Sequence, residues 1–263
     1  YLLADEDAGE CVVIDPRRDT AVYLDWCRRN DCRLVGALDT HVHADFVSGA
    51  RELRQQVDCP VYCGESNAIQ YAYHPLKEGD VLEIGGLSIE CLTTPGHSPE
   101  HLCFLVRGGE GAEADWGLFT GDTLFAGAVG RPDLAAGMDS EELASQLYDS
   151  LFGKLLQLPP GIIVYPGHGS GSPCGGSIGD RDQTTIWYEA EHNDKLQVDG
   201  RKAFVAKVLD DLPDEPAYYE RLKRLNAEGA DLLGSPPAPQ PLSPEAFETA
   251  IRQSDAFVLD VRE

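Results

Sequence analysis

The sequence predicts a layered α/β fold, an αββα sandwich of two sheets covered by helices, from two observations. Short apolar runs of strand length alternate with segments of helical period over most of the chain. Some of these runs are joined by tight turns, so that hairpins are mixed with strand–helix units. A doubly wound parallel sheet would have crossover helices at these joints, and the pattern therefore favours the layered sandwich.

The predicted elements follow one another in a regular order. We expect strands at 11–15, 34–40 and 59–65, a pair around a Gly-Gly turn within 79–97, and strands at 101–106, 116–122 and 161–169. Helices are expected at 19–30, 48–57 and 139–157, followed by a helical and charged stretch at about 180–233. Asp19 or Thr20 can cap the first helix, and the acidic, glycine-rich segment between 106 and 116 should form an exposed loop.

A proline-rich stretch near the end of the chain marks a domain boundary. Residues 235–244 contain five prolines in ten positions, the composition of a semi-rigid linker. The sequence therefore predicts a main domain at 1–234, a linker at 235–244, and the beginning of a second domain at 245–263, with a short helix before a final strand. Because the chain opens at Tyr1 rather than at Met, we expect a first strand to lie further upstream.

The charge and the apolar content exclude several classes of function. Asp and Glu outnumber Lys and Arg by 45 to 21, which gives a net charge of −24. Since binding to nucleic acid or to an anionic membrane needs clustered cations, we expect neither as a partner. No run approaches the roughly 18 apolar residues of a membrane span, and no signal peptide is visible, so a cytoplasmic protein is expected.

The eight cysteines do not form the pattern of a disulfide framework. The chain is long enough to bury a core without crosslinks, and several cysteines stand inside apolar runs. Cys59 and Cys63 are four positions apart but lack the second close pair that a zinc ribbon requires. Reduced thiols are therefore predicted.

The polar residues that can carry chemistry stand where predicted strands end. Histidine or aspartate follows the strand at 34–40, and the same holds at the ends of three later segments. Loops at strand ends converge over one edge of a sheet, so these side chains are expected to meet in one site, and imidazole with carboxylate suits zinc, iron or manganese. The six residues are His41, His43, Asp45, His97, Asp122 and His168, whereas His74, His101 and His192 are interpreted as structural or incidental.

Four short motifs around these residues resemble, in order along the chain, those of the metallo-β-lactamase superfamily. They are T-H-V-H-A-D-F (40–46), T-P-G-H (94–97), T-G-D (120–122) and P-G-H (166–168). The resemblance covers about residues 1–235 and implies a four-layered αβ/βα sandwich with its site at one edge of the two sheets. Most members hydrolyse esters or thioesters at two metals. In that arrangement the first metal would take His41, His43, His97 and Asp122, and the second would take Asp45, residue 46, Asp122 and His168.

Position 46 departs from the two-metal pattern. Two-metal members carry His there, whereas this chain has Phe46, whose ring cannot ligate a metal and fills the space of a second hydrated ion. The remaining His41, His97 and Asp122 form a 2-His-1-carboxylate set, the ligand set of non-haem Fe(II) oxygenases. The sequence therefore favours one Fe(II) per chain, although such a site also accepts zinc.

Further motifs resemble the persulfide dioxygenase branch of the superfamily, in particular bacterial members fused to rhodanese domains. They are H-A-D-F-V-S-G (43–49), G-R-P-D-L (130–134) and Y-P-G-H-G-S-G-S-P-C-G (165–175). The tail F-V-L-D-V-R-E (257–263) resembles the opening strand of a rhodanese, so a rhodanese domain in cis is implied. The branch oxidises the persulfide of a small thiol: R–S–S⁻, O₂ and water give R–SH, sulfite and a proton.

The same resemblance implies supporting roles and partners. His43, Asp45 and His168 would orient the metal ligands or donate hydrogen bonds to bound oxygen. The implied small-molecule partners are the thiol persulfide and O₂. Because members of the family often pair, a homodimer remains open.

Three further residues are expected to contact the substrate. Arg131 would pair with a carboxylate of the substrate or brace the site through Asp133, and Tyr165 would line the substrate channel. Cys174 would accept or relay the sulfane sulfur, with an inert buried thiol as the alternative.

Two other functions stay open at the level of the sequence. One is a zinc-dependent thioester hydrolase of the glyoxalase II kind, which would act without O₂. The other is a sulfur carrier that receives sulfur from the rhodanese domain and passes it on through Cys174. The thiol of the substrate, whether glutathione, coenzyme A or another, also stays open.

Overall fold

The computed structural model describes residues 1–108, 114–135, 137–210, 212–233, 240–253 and 255–260. The chain divides into two compact units, Tyr1–Leu232 and Leu233–Glu263. Most of the acidic loop expected between 106 and 116 lies outside the described residues.

The first sheet of the first unit has five strands. They are β1 (Leu2–Asp5), β2 (Glu10–Ile14), β3 (Arg33–Leu38), β4 (Val61–Gly64) and β5 (His74–Leu76), in the order β1-β2-β3-β4-β5. β1 pairs antiparallel with β2, and every other pairing in this sheet is parallel. The carboxyl ends of the parallel strands therefore meet at one edge.

The second sheet has six strands in the order β13-β12-β9-β8-β7-β6. Its strands and a separate hairpin are β6 (Val81–Ile84), β7 (Leu87–Thr93), β8 (Leu102–Gly108), β9 (Asp115–Gly121), the hairpin strands β10 (Leu124–Phe125) and β11 (Ala128–Val129), β12 (Ile163–Pro166) and β13 (Thr184–Thr185). β12 pairs parallel with β9, while the other pairs are antiparallel. The predicted hairpin around the Gly-Gly turn is the β6–β7 pair.

The described helices of this unit cover the outer faces of the sheets, except for the helix at Tyr219–Glu228, which packs through Tyr219 on a small cluster that includes Cys174. They are α1 (Ala21–Arg29), α2 (Ala50–Val57), α3 (Ser140–Gly153), α4 (Ile186–His192), α5 (Arg201–Leu209) and α6 (Tyr219–Glu228), with 3-10 turns at Leu155–Gln157 and Asp194–Leu196. Asp139 caps α3, because its side chain accepts from the amides of Glu141 and Glu142. Thr20 is the N-cap residue of α1, but its hydroxyl donates to Gln56 instead of capping.

Three apolar layers hold the elements together. One lies between the sheets and joins residues such as Ile14 and Leu38 to Phe104 and Phe119. The second packs α1 and α2 on the first sheet, and the third packs α3 to α5 on the second sheet. This arrangement is the αββα sandwich, so the predicted fold is confirmed. Burial of the apolar side chains in these layers is the largest favourable contribution to the free energy of folding.

Some predicted elements are shorter than expected. The helix expected at 139–157 ends at Gly153 and continues as a 3-10 turn, and the stretch at 180–233 breaks into three separate helices. None of the described helices has the length and apolar content needed to span a bilayer. All eight cysteines are buried free thiols in this structure.

The second unit contains one described helix, α7 (Pro244–Ala250), where a short helix was expected. The strand predicted at 257–263 is wrong in its described part, since residues 257–260 form no strand and Phe257 is 86% exposed. A strand needs a neighbouring strand, and the sheets of the described residues do not include this segment. Residues 261–263 lie outside the described part.

Candidate metal centre

Three side chains from separate loops meet at the edge of the sandwich. His41 follows β3, His97 follows β7 and Asp122 follows β9. One ligand atom from each lies within 4.8 Å of the others, and all three residues are buried. Nε2 of His97 is 3.5 Å and Nε2 of His41 is 3.9 Å from Oδ2 of Asp122. The structure therefore brings the predicted ligand set together.

A chain of hydrogen bonds fixes the ring of His41. The Thr40 hydroxyl lies 2.9 Å from Oδ2 of Asp15, to which it donates its proton. It therefore accepts from Nδ1–H of His41, also at 2.9 Å. Nε2 of His41 is left with its lone pair directed into the site, the state a metal requires.

His97 is held in the same tautomer by the backbone. Its Nδ1–H donates to the carbonyl oxygen of Arg131 at 2.9 Å, which leaves Nε2 unprotonated. Burial lowers the pKa of His97 and that of His41, so both rings are neutral. Neutral imidazoles are the form that ligates a metal.

The Asp122 carboxylate supplies the negative charge of the site. Burial opposes its ionisation, but the charge on the neighbouring His168 ring outweighs burial and holds the pKa of Asp122 well below the usual range. Neither carboxylate oxygen has a hydrogen-bond partner among the described residues, and the same holds for Nε2 of His41. Buried polar atoms without partners are costly, so this donor set fits a divalent cation.

Two glycines of the motifs make room for that carboxylate. Gly121 has φ of 46°, a left-handed conformation that favours glycine. A Cβ atom on Gly167 would lie 2.6 Å from Oδ1 of Asp122. The glycines of T-G-D and P-G-H therefore allow the close backbone approach that the site needs.

His43 belongs to a different group from His41. Its Nε2 donates to Oδ1 of Asp15 at 2.9 Å and lies 4.0 Å from Asp39. Burial disfavours a charge on this ring, but the Asp15 carboxylate outweighs burial and raises the pKa of His43 to about 9. His43 is therefore paired with carboxylates rather than turned into the group of His41. Sequence reasoning missed Asp15 and Asp39, although both directly follow strands, as the predicted ligands do.

A second donor group lies on the other side of Asp122. It consists of Asp45, His168 and Cys174, whose ligand atoms lie within 4.8 Å of one another. Nε2 of His168 is 3.4 Å from both Oδ2 of Asp45 and Oδ1 of Asp122. Sγ of Cys174 is 3.2 Å from the hydroxyl of Tyr219, a residue that sequence reasoning also missed. Asp122 thus presents one oxygen to each group.

Phe46 occupies the position where the two-metal pattern requires a histidine. Its ring packs on the ring of His43, with centroids 4.3 Å apart. The side chain of Asn226 on α6 donates to the carbonyl oxygens of Phe46 and His43, at 2.7 and 2.8 Å. The position therefore offers no ligand atom, and α6 holds this loop in place.

Of the two roles predicted for Arg131, its contacts support the structural one. The side chain is buried, and its Nε and Nη2 donate to the two oxygens of Asp133 at 2.7 and 2.8 Å. Its Nη1 donates to the carbonyl of Pro173. Because the backbone carbonyl of Arg131 fixes His97, the guanidinium braces a metal-site loop, and this geometry does not support a pairing with substrate.

Tyr165 does not lie where the sequence placed it. Its ring stacks on Phe119 and packs edge-on to Tyr1 in the layer between the sheets. Side chains alternate along a strand, and the preceding Val164 points to the layer under the helices. The expectation that Tyr165 lines the substrate channel is therefore corrected to a packing role.

The remaining histidines keep their structural or incidental interpretation. His101 is fully buried, and its Nε2 accepts from the amide of Asp122 at 3.0 Å. Its Nδ1 lies 2.9 Å from the Thr94 hydroxyl, so both ring nitrogens are occupied. His74 and His192 are exposed.

A cavity of about 370 Å³ opens beside His97. Its walls come from the loops after β3 and β7, from Leu134, Ala135 and Met138, and from α6, which contributes Lys223 and Arg224. Most of its other lining side chains are small or apolar, such as Leu134 and Met138. Sequence reasoning missed the contribution of α6, because nothing in the local pattern places residues 219–228 beside residue 97.

Comparison with known proteins agrees with this geometry. The family model described as the metallo-beta-lactamase superfamily matches residues 1–168. The chain is similar to the hydroxyacylglutathione hydrolase of Marinomonas sp. (strain MWYL1), 27% identical over 98% of this chain and 94% of that protein. It is also similar to the mitochondrial persulfide dioxygenase ETHE1 of Bos taurus, 32% identical over 64% of this chain and 62% of that protein.

Two solved structures share the fold. A metallo-beta-lactamase from Staphylococcus aureus subsp. aureus COL matches with a TM-score of 0.84 and 32% identity, over 95% of this chain and 78% of that chain. ETHE1 from Myxococcus xanthus matches with a TM-score of 0.73 and 30% identity, over 86% and 92%. The order of the motifs, the sandwich and the metal-binding edge agree with the matched family model, and the chain belongs to the metallo-β-lactamase superfamily.

Proposed function

We propose that the chain is a persulfide dioxygenase that uses one Fe(II) held by His41, His97 and Asp122. One observation carries the proposal: these three residues converge as two neutral imidazoles and one carboxylate, while position 46 supplies a phenyl ring instead of a ligand. Two imidazoles and a carboxylate with open positions are the ligand set of non-haem Fe(II) oxygenases.

The outer partners of the ligands favour a stable site at these three residues. Asp15 orients Thr40, which in turn orients His41, and the backbone of Arg131 orients His97. Such partners fix the tautomer and raise the basicity of an imidazole ligand. Residues outside the group thus orient its ligands for a cation.

The bound ion and the protein would divide the work. Fe(II), when bound, supplies open positions at which a soft, anionic sulfur and O₂ come together. The chain holds the ligands at fixed tautomers and excludes bulk water, because the three ligand residues are at most 2% exposed. His168 lies beside Asp122 and is placed to donate a hydrogen bond toward the reacting atoms.

The cavity beside His97 is suited to the organic part of a small thiol. Its volume of about 370 Å³ is within the range of small-molecule sites, and its wall is largely apolar. Arg224 is exposed at its rim, with no ion-pair partner among the described residues. Glu100 and Glu220 line the same cavity, so Arg224 would offer a partner to a carboxylate of the thiol beside groups of the opposite charge.

The similarity to ETHE1 proteins supports this proposal. For the ETHE1 of Bos taurus, the matched region is 64% of this chain and 62% of that protein. The sequence of the tail at 245–263 resembles the beginning of a rhodanese domain. We propose that a sulfurtransferase domain in cis is a partner of the catalytic domain. Its role would be to exchange sulfur with the same small thiol.

The proposal is tested by O₂ consumption. Protein loaded with Fe(II) under anaerobic conditions is mixed with glutathione persulfide in an oxygen electrode, and sulfite is measured in the same sample. We expect one sulfite for each O₂ consumed. A protein that consumes no O₂ but hydrolyses a hydroxyacyl thioester of glutathione would show that the proposal is wrong.

A second candidate function is a two-metal thioester hydrolase. The observation in its favour is the group of Asp45, His168 and Cys174, which faces the second oxygen of Asp122 and contains two buried atoms without partners. The similarity to a hydroxyacylglutathione hydrolase also extends over 98% of the chain. This function requires a second metal despite Phe46, so metal content separates the two candidates.

A further inference from the structure

A pair of thiols lies outside the metal centre, between α1 and the first sheet. Sγ of Cys11 on β2 is 3.4 Å from Sγ of Cys27 on α1. Cys11 is fully buried, and Cys27 is the buried residue of α1, so the two thiols face each other where the helix packs on the sheet. We propose that Cys11 and Cys27 form a reversible disulfide, a redox modification site that crosslinks α1 to β2.

The geometry is close to that of the bond. A disulfide has an S–S distance of about 2.05 Å, so the two sulfurs need to approach by only about 1.4 Å. Cys27 lies in the last turn of α1, near the end of the helix, where a small shift is easier than in its middle. The strand that carries Cys11 can therefore stay in place.

Neighbouring thiols are less well placed for the same reaction. Cys32 and Cys59 belong to the same buried cluster as the pair. The Cys32 thiol instead lies 3.5 Å from the carbonyl of Asn30, toward which it donates. Among the described thiols, Cys11 and Cys27 are thus the pair that approaches closely.

The surface gives an oxidant access to one member of the pair. An open cavity of about 650 Å³ is lined by Cys27 and Cys32 but not by Cys11. Burial raises the pKa of the Cys11 thiol, and the hydrogen bond with the Cys27 thiol raises it further. Cys11 is therefore a poor first nucleophile. Cys27 therefore reacts first and Cys11 second.

The oxidant that balances this reaction is a low-molecular-weight disulfide, RSSR. The Cys27 thiolate attacks one sulfur of RSSR, the S–S bond breaks, and the leaving thiolate takes up a proton to give RSH. Cys11 then loses its proton and attacks Sγ of Cys27, which releases the second RSH. Overall, two protein thiols are oxidised to one disulfide, and RSSR is reduced to two RSH.

The test uses the wild-type chain under native conditions. The protein is incubated with glutathione disulfide, quenched in acid, alkylated with N-ethylmaleimide and analysed by mass spectrometry after proteolysis. We expect a mass loss of about 2 Da before alkylation, two alkylated thiols fewer than in the reduced protein, and one crosslinked peptide pair that joins Cys11 to Cys27. A reductant should reverse all three changes.

Variants and stability give matched controls. Cys27→Ser should abolish the mass loss, whereas Cys59→Ser, a change in the same cluster, should leave it intact. In the wild type, oxidation should raise Tm by roughly 6 °C, since a crosslink restricts the unfolded chain.

Three outcomes would overturn the proposal. They are a Cys27–Cys32 crosslink, a persistent mixed disulfide of Cys27 with glutathione, and eight thiols that all remain available for alkylation after unfolding. A fall in Tm on oxidation would also count against it, because it would mean that the bond strains the native packing. None of these results depends on the proposed activity.

Discussion

The two donor groups on either side of Asp122 differ in how they are held. In the group of His41 and His97, each ring nitrogen outside the site has a partner that fixes the tautomer. In the group of Asp45, His168 and Cys174, the thiol is occupied by a tyrosine hydroxyl, and two members are only partly buried. The same carboxylate faces both groups, but only in the first do outer partners hold the imidazoles so that Nε2 is free for a metal.

This difference indicates that ligand type alone does not define a metal site. Both groups contain donors that a divalent cation accepts. The first has neutral rings and a carboxylate whose oxygens have no partner among the described residues. The second has a histidine that is drawn toward the charged state, because Asp122 outweighs burial and raises the pKa of His168 to about 12. A metal at this group would therefore have to displace a proton from His168.

The largest effect is expected from removing a ligand of the first group. His41→Ala deletes one of three protein ligands, and we expect iron content below roughly a tenth of the wild-type value, with O₂ uptake reduced about 100-fold or more. Iron is measured by elemental analysis of anaerobically prepared protein. His192→Ala, a change at an exposed histidine, is the control and should keep both. Full iron content in His41→Ala would show that the first group is not the site.

The next effect concerns the carboxylate behind His41. Asp15→Asn removes the charge that accepts from Thr40 and His43, and we expect iron affinity to fall about 10- to 100-fold. The measurement is a competition titration with a chelator. Asp19→Asn, at an exposed carboxylate paired with Arg17, is the matched control and should bind iron as the wild type does. Equal affinities in both variants would mean that the outer partners do not organise the site.

A third change tests whether Phe46 excludes a second metal. Phe46→His restores a ligand beside Asp45 and His168, and we expect the affinity for a second ion to rise roughly 10-fold or more. Phe46→Leu is the control, since it frees space without adding a donor. If both variants bind the second ion equally well, space rather than the missing ligand is the cause, and the comparison of the two groups changes.

The smallest effect is expected from the thiol of the second group. Cys174→Ser should change iron affinity less than about twofold, because the thiol is hydrogen-bonded to the Tyr219 hydroxyl and lies outside the group of His41, His97 and Asp122. The same chelator titration measures it. A tenfold loss of iron affinity would instead assign Cys174 to the metal site.

Much of the fold could be predicted from the sequence, because its signals are local. Strands of β-branched and apolar residues, the Gly-Gly turn and the helices at 21–29 and 50–57 follow from periodicity and turn chemistry. The ligand positions followed from the same logic, since His41, His97 and Asp122 each stand just after a strand. The strand predicted at 257–263 failed in its described part because apolar content does not provide a hydrogen-bonded neighbour.

The missed residues are those whose roles depend on long-range packing. Tyr219 and Asn226 reach the site from α6. Tyr219 contacts Cys174, 45 positions earlier, and Asn226 contacts His43, 183 positions earlier, and no local pattern indicates either contact. The direction of Tyr165 follows from strand alternation, since Val164 beside it points to the layer under the helices and Tyr165 points between the sheets. Asp15 directly follows a strand, as the predicted ligands do, so its position was predictable by the same rule.

Metal stoichiometry is the most direct test of the claim that only the first group is organised for a metal. Metal-free protein is titrated with Fe(II) under anaerobic conditions, and bound iron is counted per chain while O₂ uptake with glutathione persulfide is followed in parallel. The account predicts that tight binding saturates at about one iron per chain and that activity reaches its maximum at the same point. Saturation at about two ions, with activity appearing only when the second is bound, would contradict it.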